Sequence, residues 1–165
     1  MANGINTGLE SKVVVVTGAA AGIGRATARR FAQEGAAVVG WDVDEEKGAS
    51  LVAELEEAGG TGLFQKVNVV SKDEVRGAVT EIVGKFGQLD VLVNNAGIVR
   101  DSQLVKWKEG ELRGEMSEEH FDQVIGVNLK GVFNATQAVV PQMIKQNKGV
   151  VLTASSVVGL YGNFG

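Results

Sequence analysis

The sequence predicts an α/β fold, a doubly wound parallel sheet, on three observations. Short apolar runs of strand character alternate with helical stripes along nearly the whole chain. The first run passes through a glycine-rich turn directly into a helix. The second run ends on an acidic residue, Asp42.

The elements follow in order. Residues 13–16 are four valines, the pattern of a strand buried on both faces. From residue 24 to 34 a helical pattern follows, with Ile23, Thr27 and Phe31 four apart. A second strand, 37–41, leads to a helix starting near Asp44, on which Leu51, Leu55 and Ala58 share a face. A third strand, 63–69, ends at a capping box, Ser71 with Glu74 three residues later. The helix behind it carries Val75, Val79, Ile82 and Phe86 on one stripe, and a fourth apolar strand occupies 89–93. Residues 100–115 are polar and without clear periodicity. Ser117 then caps a long helix with the stripe Phe121, Ile125, Leu129, Val132, Thr136, Val140 and Met143; Pro141 should kink it or end it nearby. A fifth strand runs over 149–153. Alternating strands and helices imply right-handed crossovers with helices on both faces. The five buried runs and the glycine turn after the first imply the strand order 3-2-1-4-5.

Composition narrows the function. A chain of 165 residues suits one domain. A net charge of −4 argues against a nucleic-acid partner, which needs a basic face. No apolar run is long enough to span a bilayer, and residues 1–9 lack the apolar core of a signal peptide. The absence of cysteine excludes thiolate chemistry and fits a cytoplasmic protein. Glu54, Glu56 and Glu57 read as a solvated helix face rather than a metal site, and His120, the only histidine, as a solvated residue of a helix's first turn.

The chemistry lies in the turn Thr17-Gly18-Ala19-Ala20-Ala21-Gly22-Ile23-Gly24. Gly18 allows a sharp turn, Gly22 lets the backbone approach a pyrophosphate, and Gly24 permits close helix–strand packing. The helix N-terminus behind it offers free N–H groups and the positive end of a dipole. Asp42 stands 18 residues after Gly24, where a carboxylate reaches the adenosine ribose hydroxyls. It would repel a 2′-phosphate, and no arginine lies in the turn before Gly24, so NAD is favoured over NADP.

The pattern T-G-x-x-x-G-I-G is similar to that of the short-chain dehydrogenase/reductase family. Asn94-Asn95-Ala96-Gly97, Asn128-Leu129-Lys130-Gly131 and Ala154-Ser155-Ser156 resemble its later motifs in identity and order, from Leu9 onward. The resemblance implies a Rossmann-type domain and a set of roles. Gly18, Gly22, Ile23, Gly24 and Asp42 would bind the cofactor; Asn68 and Val69 would flank the adenine; Asn95, Ala96 and Gly97 would line the cofactor beside the fourth strand. Many members carry Asp where this chain has Asn68. Asn128 would hold a water in a proton relay, and Ser156 would hydrogen-bond the substrate oxygen. The family also places a Y-x-x-x-K pair on the next helix, the tyrosine as proton donor. Tyr161, the only tyrosine, is five residues after Ser156 and has no lysine four later, so it is not assigned that role. The chain therefore reads as cut before the catalytic helix, lacking the family's last two strands.

Within the family the run from Asn94 onward most resembles 3-oxoacyl-[acyl-carrier-protein] reductases of fatty acid biosynthesis, a subfamily that often prefers NADP, against which Asp42 argues. The resemblance thus implies interconversion of a ketone and a secondary alcohol, with a small carbonyl or acyl thioester substrate and a homodimeric or homotetrameric parent. Two alternatives stay open: a sugar, diol or steroid dehydrogenase with the same motifs, and a dinucleotide-binding fragment without turnover. The stretch around Trp107 is either a substrate-side or subunit-contact insertion or a surface loop.

Overall fold

The computed structural model describes residues 7–162. Its main sheet is parallel and five-stranded: β1 (Val13–Thr17), β2 (Ala37–Asp42), β3 (Thr61–Lys66), β4 (Val91–Asn94) and β7 (Val150–Thr153), in the order β3-β2-β1-β4-β7. This is the expected order, β7 being the fifth strand of the sheet. The register runs Val14 opposite Val38 and Val91, and Val91 opposite Val150.

The four valines show why the sheet is covered on both sides. Val13 and Val15 point into one apolar layer with Trp41, Leu92, Ile82 and Val139. Val14 and Val16 point into the other with Ala28, Ala32, Leu51 and Leu55. Alternation along the strand thus feeds two cores. Helices α3 (Lys72–Phe86) and α5 (Val132–Lys145) cover the first face; α1 (Gly22–Gln33) and α2 (Glu45–Glu57) cover the second.

Helix α1 differs from the expected stripe. Its buried residues are Gly24, Ala28 and Ala32, whereas Ile23 is 78% exposed. The helix lies so close to the sheet that only small side chains fit: a Cβ on Gly24 would stand 2.1 Å from the Gly18 carbonyl oxygen. The larger Ile23–Thr27–Phe31 edge lines an outer groove instead.

The polar stretch 100–115 is not an irregular loop. Strands β5 (Val105–Lys108) and β6 (Glu111–Glu115) form a separate antiparallel hairpin, with a bulge between Lys106 and Trp107. Almost all of it is exposed, which is why no alternation marks it in the sequence.

The long helix is interrupted, but not at the proline. Helix α4 (Glu118–Ile125), capped by the Ser117 side chain, opens into a π-helical segment, Gly126–Gly131, before α5 resumes. Helix α5 runs through Pro141 to Lys145. Its buried face is Ala135, Val139 and Met143, whereas Phe121, Leu129 and Phe133 are exposed. The last described helix is the short α6 (Val158–Tyr161). None of the described helices is long and apolar enough to cross a membrane.

Candidate functional site

The carboxyl ends of β1, β2 and β4 meet at a cleft of about 180 Å³, where strand order reverses on either side of β1. Its lining includes Gly18, Trp41, Asp42, Asn68, Val69, Ala96 and Gly97, residues from four separate stretches of chain. A larger groove, about 510 Å³, lies on the outer face of α1 between Leu9, Ala26 and Phe31. It sits away from the strand ends and holds none of the expected site residues except Ile23.

The glycine-rich turn has the geometry its sequence implies. Gly18 and Gly22 take left-handed φ values of +66° and +54°. A Cβ on Gly18 would lie 2.9 Å from the Ala96 Cα, so β4's following turn comes down directly onto it. At Gly22 a Cβ would meet nothing within 4 Å. Helix α1 starts with no side-chain cap and no acidic residue in its first turn, leaving its N–H groups open. A bare, outward-facing N-terminus with an open glycine fits a pyrophosphate.

Thr17 ties the two turns together. Its Oγ1 accepts hydrogen bonds from Asn95 N–H (3.0 Å) and Ala96 N–H (2.9 Å) and donates to the Val93 carbonyl (3.4 Å). The Asn95 amide donates back to the Thr17 carbonyl at 3.1 Å. Asn94, buried beside it, donates from Nδ2 to Thr136 Oγ1 at 3.2 Å. The sequence reading assigned roles to Asn95, Ala96 and Gly97 but none to Thr17 or Asn94.

Asp42 ends β2 at the cleft. Its Oδ2 accepts from the Ala20 N–H (2.9 Å), and its Oδ1 from the N–H groups of Val43 (2.7 Å) and Asp44 (3.1 Å). The carboxylate is thus held in place by the glycine-rich turn on one side and its own chain on the other, with one of its roughly four acceptor positions left for a ligand. Trp41, wholly buried, donates from its indole to Gln65 Oε1 at 2.8 Å and forms the cleft floor.

The loop after β3 is held from behind. The Asn68 side chain accepts from the Val70 N–H, and the Asn68 backbone N–H donates to Glu74 Oε2 at 2.8 Å. Only half of the expected capping box forms: Ser71 Oγ accepts from the Glu74 N–H, whereas Glu74 reaches Asn68. Buried Asn134 donates to the carbonyls of Val69 and Val70, and the Val69 side chain packs where a Cβ on Gly131 would stand. Sequence reading missed Asn134 because its partners lie 64 and 65 residues away.

Two residues expected on the reacting side are placed at the same end of the sheet. Asn128, in the π-helical segment, pairs with the Ile98 backbone just past Gly97. Ser156 follows β7, and the N–H of Ala154, the residue just after that strand, donates to the Asn94 carbonyl. Its Oγ accepts a long bond from the Val158 N–H and is exposed. Tyr161 is 85% exposed on α6. No cluster of metal-ligating side chains occurs among the described residues.

Comparison with known proteins agrees with this geometry. Residues 12–165 match the family described as short chain dehydrogenase. The chain is 52% identical over 157 residues to a Thermotoga maritima protein named 3-oxoacyl-[acyl-carrier-protein] reductase FabG, covering 95% of this chain and 60% of that one. It is 43% identical over 153 residues to a 3beta-hydroxysteroid dehydrogenase of Mediterraneibacter gnavus, covering 93% of this chain and 52% of that one. Among solved structures, NAD+-bound xylitol dehydrogenase superposes with a TM-score of 0.82 at 33% identity, over 94% of this chain and 56% of that one. The chain thus spans roughly half to three fifths of these relatives.

Proposed function

The chain belongs to the short-chain dehydrogenase family, and from that premise we propose that residues 1–165 form one NAD-binding domain of an oxidoreductase interconverting a ketone and a secondary alcohol. The observation that carries the cofactor reading is Asp42, fixed by three backbone N–H groups with an acceptor position left at the cleft.

Each residue has a task. The open N-terminus of α1 and the Gly22 backbone hold the pyrophosphate. Asp42 accepts from a ribose hydroxyl and repels a 2′-phosphate, which favours NAD. Asn68 and Val69 flank the adenine, and the 95–97 turn lines the cofactor beside β4. A nicotinamide held there would supply or accept the hydride. Ser156 Oγ donates to the substrate oxygen, where charge builds during carbonyl reduction. Asn128, with both ends of its amide engaged by Ile98, keeps one N–H and one acceptor position for a water.

For the substrate we favour a 3-oxoacyl thioester, on 52% identity to a relative so named. A steroid or polyol remains the second reading, favoured by the relatives named 3beta-hydroxysteroid and xylitol dehydrogenase. We further read the protein as a cytoplasmic homo-oligomer, dimeric or tetrameric, since Phe121, Leu129 and Phe133 leave an apolar helix face exposed.

Equilibrium titration of NADH and NADPH tests the cofactor assignment. The protein is expected to prefer NADH, and Asp42→Ala to weaken NADH and narrow the gap; an unchanged preference refutes it. In a version that carries the family's Y-x-x-x-K pair after Ser156, oxidation of NADH with a 3-oxoacyl thioester, lost in Ser156→Ala, tests the substrate.

A further inference from the structure

Resting on that reading of the cleft, we propose that Arg25 is a positioning residue for cofactor selection, acting through Ala20 to hold the phosphate turn against the Asp42 carboxylate.

Arg25 lies in the first turn of α1, one residue past Gly24, where the positive end of the helix dipole disfavours a cation. All five of its N–H groups are used. Nη1 donates to the carbonyls of Ala20 (2.8 Å) and Lys47 (3.1 Å). Nη2 donates to Ser50 Oγ (2.7 Å) and Glu54 Oε1 (2.9 Å), and Nε to Glu54 Oε2 (3.2 Å). A guanidinium with no donor left is not itself a phosphate ligand. Its fork instead joins the phosphate turn to α2, the helix that follows Asp42.

Ala20 is gripped from both sides. Its carbonyl is held by Arg25 and its N–H donates to Asp42 Oδ2. Of the three N–H groups on the carboxylate, Ala20's is the one from outside the Asp42–Asp44 segment. Discrimination against a 2′-phosphate needs the carboxylate held in place, because one free to swing aside makes room for it. Without Arg25 the buried Ala20 carbonyl loses its partner and the turn can shift.

Binding of NADH and NADPH is measured by equilibrium titration in the protein, Arg25→Ala, Arg25→Lys and Arg29→Ala, with thermal melts of each. Arg29 is an exposed cation on the same helix that, among the described residues, pairs with Glu54 alone, at 3.7 Å, so its variant removes charge but not the fork. Arg25→Ala is expected to weaken NADH about tenfold, the loss of one charge-assisted hydrogen bond, and NADPH less, so that the preference narrows. Arg25→Lys keeps the charge but not the fork and should narrow it too; it decides the matter if Arg25→Ala fails to fold. Arg29→Ala should keep the native preference. If the unaltered protein prefers NADH and both folded Arg25 variants keep that ratio, or lose both cofactors equally, the positioning role is wrong while the cofactor reading stands. If the unaltered protein shows no preference for NADH, both fall.

Discussion

Asn128 and Ile98 close a two-point pair: the Ile98 N–H donates to Asn128 Oδ1 and Asn128 Nδ2 donates to the Ile98 carbonyl, each at 2.9 Å. The side chain therefore mimics a neighbouring strand for the stretch that leaves Gly97. It can do so because the backbone around it is π-helical, which turns residue 128 off the regular helical path. Asn128→Ala removes both bonds. It is expected to lower stability by about 1–2 kcal/mol and to weaken cofactor binding by loosening the turn at 95–98. A melt with the native midpoint would show that the pair contributes nothing.

Gly22 and Gly24 are two residues apart and should fail differently. A Cβ on Gly24 meets the Gly18 carbonyl at 2.1 Å, a backbone atom that cannot yield without moving the turn. Gly24→Ala is expected to cost about 3 kcal/mol and to lower expression of folded protein. Gly22 faces open space at φ +54°, so Gly22→Ala should cost only about 1–2 kcal/mol of backbone strain while placing a methyl where a pyrophosphate is proposed to approach. Circular-dichroism melts and NADH titration on both variants separate the two effects. Equal melting midpoints would contradict the packing argument.

The Arg25–Glu54 pair gives a pH dependence. Hydrogen bonding from Arg25 holds the Glu54 carboxyl below its ordinary value of 4.5, and Lys47 likewise holds Asp44 below 3.8. A carboxyl lowered in the fold contributes stability above its unfolded value and loses it as pH falls through the folded value. The melting midpoint is therefore expected to be insensitive to these groups at neutrality and to fall once pH drops below 4.5. In Glu54→Gln the acid limb should be shallower, and at neutrality the midpoint lower. Parallel acid limbs in the two proteins would remove Glu54 from the account.

What the sequence discloses is local. The valine run, the 17–24 turn and Asp42 announce themselves because each is read from neighbours in the chain, and sheet order follows from the alternation together with the glycine turn after the first strand. Tertiary pairings are another matter. Arg25 reaches Ala20 across five residues but Glu54 across 29, and nothing in the spacing marks the fork they form. Thr17 serves Asn95 and Ala96 across 78 and 79 residues. The hairpin at 105–115 escaped because neither of its faces is buried, so no period is imposed on it. The stripe on α1 misled because burial there is set by how closely helix and sheet approach, which selects Gly24, Ala28 and Ala32 over the larger Ile23.

The two tryptophans offer a direct report on where cofactor binds. Trp41 is 0% exposed, bonded to Gln65, and floors the cleft; Trp107 is 66% exposed on the hairpin, paired across the strands with Leu112. Indole in an apolar site emits to the blue and is shielded from quenchers, whereas a solvated indole emits to the red. Acrylamide should therefore remove the red component first, and Trp107→Phe should leave a single blue, protected emission. Since the adenosine is expected against Asp42 and Val69, which share Trp41's cleft, added NAD should alter that remaining emission with the same midpoint in both proteins. The hairpin carries none of the residues assigned to the cofactor, so Trp107→Phe should leave NAD affinity unchanged. A response confined to Trp107 would move the cofactor away from the strand ends and onto the hairpin, and with it the assignment of Asp42.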